Sequence, residues 1–169
     1  MSQATPSYET LQADFASAQW LSSMEQDAYG MINIQVPANE LISAIKDLKA
    51  YEKAPVQLLT DLCAVHYPQR AGKELEVVYH LHSLTQNLRL RLKVAIPQEE
   101  ASVPTLCHEF AGANWMERET FDFYGVKFEG HPDLRRILNM DQMDYHPMLK
   151  QYALEDETRD DKDDQFFGR

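Results

Sequence analysis

The chain has 169 residues, 44% of them apolar and 25% charged, with a formal net charge of -11. That length suits one domain with room for a terminal segment. The acidic balance argues against a nucleic-acid binder, which carries a basic face, and gains nothing from an anionic membrane surface.

From the amino end, Thr5-Pro6 reads as a helix start, a hydroxyl cap followed by proline at the first helical position. Tyr8, Leu11, Phe15 and Ala18 then recur at helical spacing, which predicts an amphipathic helix over 6–19. No positive stretch followed by an apolar run opens the chain, so no secretory leader is expected. Met31, Ile32, Ile34 and Val36 predict a strand ending at Pro37, and Leu41, Ile42, Ile45 and Leu48 a second helix near 39–51. Leu58–Tyr67 reads as a turn of helix followed by a strand. Two strands then show period-two alternation, 75–82 and 88–96, joined by the polar loop 83–87, and are expected as antiparallel neighbours. After Pro104 a helical pattern runs to about Tyr124, with a possible break at Gly112 and a terminating glycine at Gly125. No run approaches the roughly 18 apolar residues that span a bilayer. The sum is an α/β chain of the α+β type: a small mixed sheet with an antiparallel hairpin, helices packed on it and an extended carboxyl-terminal tail. Its regions are an amino-terminal helix in 1–24, a core domain in 25–128, and a segment, 129–169, that orders on a partner.

The residues that could carry chemistry are few. His80 and His82 share one face of a strand, but no further ligand stands near them in sequence, so they read as solvated or paired outer-face histidines. Cys63 and Cys107 form no CxxC and read as reduced, partly buried thiols. The densest charged cluster is Glu117-Arg118-Glu119, Asp122 and Arg135-Arg136. With Glu119 and Asp122 on one helix face and no nucleophile or metal motif alongside, an interface reading among Trp115, Met116, Phe121, Phe123 and Tyr124 outweighs acid–base catalysis. Gly130-His131-Pro132-Asp133 reads as a tight turn entering a short helix, with Asp133 and the two arginines placed to suit its dipole. There is no GxGxxG, no GxxxxGK[ST] and no nucleophile elbow. The last fifteen residues hold seven acids and three bases, too polar for a core, with Phe166-Phe167 as an apolar pair suited to a partner's pocket.

Residues 117–138, ERETFDFYGVKFEGHPDLRRIL, closely resemble the signature of the thirty-kilodalton subunit family of respiratory complex I, the C subunit of NADH-quinone oxidoreductase. The matching positions are Glu117, Arg118, Glu119, Asp122, Tyr124, Gly125 and the run Gly130 to Arg136. Residues 61–68 and 77–94 resemble the family's Tyr-Pro segment and central hairpin. Residues 144–154, which include His146, resemble its GHPLRKDYP segment with departures: Met148-Leu149 stand for Leu-Arg, Gln151 for Asp and Ala153 for Pro.

The resemblance implies an α/β domain whose carboxyl-terminal segment lies along the large quinone-site subunit. It implies a non-catalytic structural and assembly role in the peripheral arm of a proton-pumping NADH:quinone oxidoreductase, on the cytoplasmic side of the inner membrane and held there only through partners. Flavin and iron–sulfur clusters are then expected in partner subunits and none in this chain. The interface is expected to use Glu117, Arg118, Glu119, Asp122, Tyr124, His131, Asp133, Arg135, Arg136, His146, Phe166 and Phe167. The alternatives are an equivalent subunit of a membrane-bound hydrogenase or other-donor dehydrogenase and, more remotely, an autonomous carboxylate-based enzyme.

Overall fold

Period-two patterning builds the centre of the molecule. The computed structural model describes residues 5–152, and in it β4 (Leu75–Ser83) and β5 (Leu88–Ile96) pair antiparallel with Val77 opposite Val94 and Leu81 opposite Leu90. Around them stand β3 (Leu58–His66), antiparallel to β4, and β2 (Ile32–Gln35), parallel to β5. A short β1 (Ser23–Gln26) closes the far edge, giving the order β1-β2-β5-β4-β3. One face of the sheet carries the leucines and valines of β4 and β5, and α2 (Leu41–Ala50) adds Leu41, Ala44, Ile45 and Leu48 to the same core. Each large aliphatic side chain buried this way contributes about 1.5–3 kcal/mol. The mixed α+β architecture matches the expectation.

Local differences have physical causes. The first helix, α1, is only Tyr8–Asp14, and its cap is Ser7, whose hydroxyl accepts from the Thr10 amide; the Thr5 hydroxyl donates instead to the Gln86 carbonyl. Beyond Asp14 the apolar spacing continues through turns, because Phe15 and Trp20 pack on each other and the Trp20 indole donates to Asp47. Leu58–His66 is strand throughout. A register shift between Leu59 and Asp61 sets the buried leucines, 59 and 62, three residues apart, which imitates helical spacing. The stretch after Pro104 is not helical until Gly112: Leu106–Phe110 makes a single turn, and α3 runs Ala113–Tyr124. Gly125 ends it at φ 78°, as its sequence position predicts. Two three-residue strands without readable periodicity, β6 (Ser102–Pro104) and β7 (Lys127–Glu129), form a parallel ribbon on either side of α3 in sequence. Among the described residues, no helix follows Gly130.

α3 packs against the edge strand β3. Residues 131–152 then return across α3 as a strap without regular secondary structure. No helix among the described residues is long and apolar enough to cross a membrane.

Candidate functional site

The strap is held by charges that α3 places beneath it. Asp122, in the last turn of α3, is fully buried, and its carboxylate accepts from three successive amides, Ile137, Leu138 and Asn139, at 2.8–3.1 Å. Those amides turn toward Asp122 rather than toward a helix of their own, which explains the absence of the expected short helix. Arg136 completes the arrangement. One of its nitrogens meets Asp122 at 2.7 Å, and the other donates to the carbonyls of Met143 and Tyr145, gathering ten residues of strap around one guanidinium. Burial alone would raise the Asp122 carboxyl. The amides of Asn139 and Leu138, the Arg136 guanidinium and the Ile137 amide outweigh it and hold the group well below the usual carboxylate range.

Arg118, one helical turn earlier, is buried to 7% exposure and donates to the Arg135 and Arg136 carbonyls while its guanidinium lies over the Trp115 ring. His146 donates from Nδ1 to the Asp122 carbonyl, with its ring edge against Phe121. A methyl group at Gly125 would stand 2.7 Å from that ring, so the position needs glycine for space as well as for its positive φ. Leu149, where the resembling family carries arginine, is buried in the core cluster, and the amide after it, Lys150, donates to His66 at the end of β3. The strap is thereby tied to the edge of the sheet.

A second buried carboxylate serves the other end of α3. Glu117 is wholly inaccessible and accepts from the Thr105 hydroxyl at 2.5 Å and the Leu106 amide at 2.6 Å, fixing the turn that precedes the helix. Burial pushes its carboxyl up, partly offset by these hydrogen bonds. His131 accepts the Asp133 amide on Nδ1 and so donates from Nε2 to the Asn114 carbonyl.

The cluster expected on one surface is therefore divided. Glu117 and Asp122 present no surface of their own. Arg118, Arg136, His131 and His146 work inside the chain, and Tyr124 is half-buried. Glu119 and Asp122 stand three residues apart on α3 but differ in burial: Glu119 is exposed, whereas Asp122 is buried. Asp133 and Arg135 are exposed and paired with each other at 2.9 Å. Phe166 and Phe167 lie outside the described residues. On the outer face of the sheet, His82 shares a hydrogen bond with Asn87, and His80 sits opposite Asp61 and Arg91, its pKa lowered mainly by burial.

Beside exposed Glu119, Asp133 and Arg135, the same region presents apolar side chains outward. Trp115, Leu138, Met140 and Met148 expose 61%, 64%, 69% and 49% of their surface along α3 and the strap. Of these the sequence singles out only Trp115 as an interface residue. The other three lie in a stretch without apolar periodicity, which leaves no pattern to follow.

Comparison with known proteins follows the same lines. The family described as respiratory-chain NADH dehydrogenase, 30 Kd subunit, matches residues 34–158. The C subunit of NADH-quinone oxidoreductase from Rhizobium rhizogenes is 42% identical over 132 residues, which is 78% of this chain and 65% of that protein. Its counterpart from Xanthobacter autotrophicus is 42% identical over 125 residues, 74% of this chain and 59% of that protein. The chain thus spans about three fifths of the length of these curated relatives. Among solved structures, a trypsin-resistant fragment of Nqo5 superposes with a TM-score of 0.64 at 25% identity, covering 75% of this chain and 98% of that one. A chain of the membrane-bound sulfane sulfur reductase, an archaeal respiratory membrane complex, shares the fold with a TM-score of 0.72 at 24% identity, covering 86% of this chain and 85% of that one.

Proposed function

This chain belongs to the respiratory-chain NADH dehydrogenase 30 Kd subunit family, and on that premise we propose that it is a non-catalytic structural and assembly subunit of a proton-pumping NADH:quinone oxidoreductase. It sits in the peripheral arm on the cytoplasmic side of the inner membrane, docks on the large quinone-site subunit, and reaches the membrane only through partners. Flavin and iron–sulfur clusters belong to those partners.

The observation that carries this reading is the set of large apolar side chains, Leu138, Met140, Met148 and Trp115, exposed along α3 and the strap that a buried ion pair helps to fasten to it. Apolar groups that cost stability when exposed, yet are fixed in place by an internal scaffold, are what a docking face consists of. Exposed Glu119, Asp133 and Arg135 would then form the polar rim beside them.

The test is an affinity pull-down of the tagged chain from gently solubilised native membranes. The eluate is assayed for NADH:quinone reduction, flavin and iron, and the captured proteins are identified. A large assembly with that activity, lost when Met140 is changed to Asp, supports the proposal. Capture of an active assembly that Met140→Asp leaves intact moves the docking face elsewhere, and a chain that elutes alone from membranes retaining the activity refutes the assembly role.

A further inference from the structure

Two carboxylates are fully buried in α3, and only one of them has a lysine or arginine to answer it among the described residues. Asp122 faces Arg136 at 2.7 Å. Glu117 has the Thr105 hydroxyl and the Leu106 amide, and among the described residues no lysine or arginine forms an ion pair with it. A buried charge is ordinarily paired or bound to a metal ion. The Tyr79 hydroxyl, also fully buried and close enough to feel Glu117, finds no hydrogen-bond partner among the described residues either.

The groups that do reach Glu117 are donors of another kind. The Cys107 thiol points at Oε2 from 3.5 Å. One ligand atom each from Cys107, Glu117 and His131 lies within 4.8 Å of the other two. They come from three separate pieces of chain: the turn after β6, the second turn of α3, and the turn after β7.

We propose that Cys107, Glu117 and His131 form a binding site for a borderline-soft divalent cation of the zinc type. Sulfur, oxygen and nitrogen donors around such an ion stand roughly 3.5 Å apart, as bonds of about 2.0–2.3 Å require, so a small contraction of the cluster closes the site. Cys107 and His131 are half-buried, which gives the ion a way in from solvent and leaves a fourth position for water. On binding, the Cys107 thiol loses its proton to solvent, and thiolate and carboxylate together cancel the charge of the ion. His131 gives up one of its two hydrogen bonds. The Asp133 amide is exposed and turns to water at little cost, while the bond to the Asn114 carbonyl remains to orient the ring. The ion joins the turn before α3, the helix and the turn after β7 at one point, and supplies the positive charge that Glu117 otherwise lacks.

The experiment is a titration of the purified full chain with cobalt(II), followed by its visible and near-ultraviolet spectrum. One tightly bound ion per chain with a thiolate-to-cobalt charge-transfer band, displaced by zinc, is expected. Cys63→Ser retains that band and Cys107→Ser loses it. His131→Ala removes a ligand and lowers affinity by more than the roughly 10- to 100-fold that loss of an outer-shell partner costs. X-ray absorption on the zinc-loaded wild-type chain tests the site independently of any variant, with one sulfur expected among the nearest neighbours of zinc. Absence of the thiolate band, loss of the band in Cys63→Ser with retention in Cys107→Ser, or a zinc environment without sulfur overturns the proposal.

Discussion

The sheet and the strap hold themselves together in opposite ways. In β5 every second residue is an aliphatic group buried against several like it, Leu75, Val77 and Leu81 of β4 face them, and α2 packs four more upon them. Any one of these can be trimmed while its neighbours keep most of their contacts. Among its described residues the strap has one buried apolar anchor, Leu149. Much of the rest of its hold is polar, and its centre is Asp122 and Arg136, which between them bond five backbone groups of residues 137–145. Dispersed apolar burial tolerates change because each contact is weak. A single ion pair that also organises a loop does not, because removing one member leaves the other charged, buried and alone.

Arg136→Ala breaks the comparison most sharply. Stranding Asp122 should cost about 3–5 kcal/mol. A sheet residue such as Leu92 changed to alanine should cost about 2–5 kcal/mol by cavity formation. The two differ in kind. Leu92→Ala lowers the urea midpoint uniformly, whereas Arg136→Ala strips hydrogen-exchange protection from the amides of 137–139 before the sheet amides are touched. Simultaneous loss of both sets in Arg136→Ala would show that strap and sheet are one cooperative unit.

Arg135, the neighbouring residue, separates holding the strap from using it. Its side chain is 70% exposed, and its ion-pair partner among the described residues is the similarly accessible Asp133. Arg135→Ala should leave folding stability within about 0.5 kcal/mol of wild type. If Arg135 becomes buried and paired in the assembled complex, the same change weakens assembly by about 2–5 kcal/mol. Native-gel quantification of assembled complex beside a denaturant titration of the free chain measures both. Equal losses in the two would make Arg135 a fold residue.

Gly125→Ala probes the joint between helix and strap. A side chain at φ 78° costs about 1–2 kcal/mol, and the added methyl also displaces His146 and its hydrogen bond to Asp122. Denaturation should show that loss, and the His146 ring resonances should shift. An unshifted ring would mean that the helix end, rather than the histidine, gives way.

The same division decides what is legible in the sequence. β4, β5 and α2 are readable because burial there follows the backbone period. The start of β3 is not, because a bulge breaks that period and mimics a turn of helix. The strap reads as a partner-ordered segment because a chain without apolar periodicity gives no sign of a core. Its ties to α3 are backbone amides converging on a carboxylate, and no residue-type pattern marks an amide. The charged signature is legible as a unit, but its division into buried and exposed members is not: in Glu117-Arg118-Glu119 three adjacent charges look alike, and only the packing of α3 makes the first two internal and the third external.

Acid titration sharpens the comparison at the smallest scale, between the two buried carboxylates. Glu117 has its pKa raised by burial, so its contribution to stability is full below the ordinary value near 4.5 and is lost as pH rises through the higher folded value. Asp122 has its pKa depressed by its amide and guanidinium donors, so its contribution is full above the ordinary value near 3.8 and is lost only as pH falls through the much lower folded value. With a chelator present, mild acidification from neutral pH should therefore relieve Glu117 before it harms Asp122. A small gain that Glu117→Gln abolishes is expected above pH 4.5, with the amides of 137–139 staying protected. Protection of those amides should fail only well below pH 3.8, once Asp122 takes up its proton. Early loss of protection, in step with Glu117, would mean that the two carboxylates are coupled through α3 and that the strap depends on both.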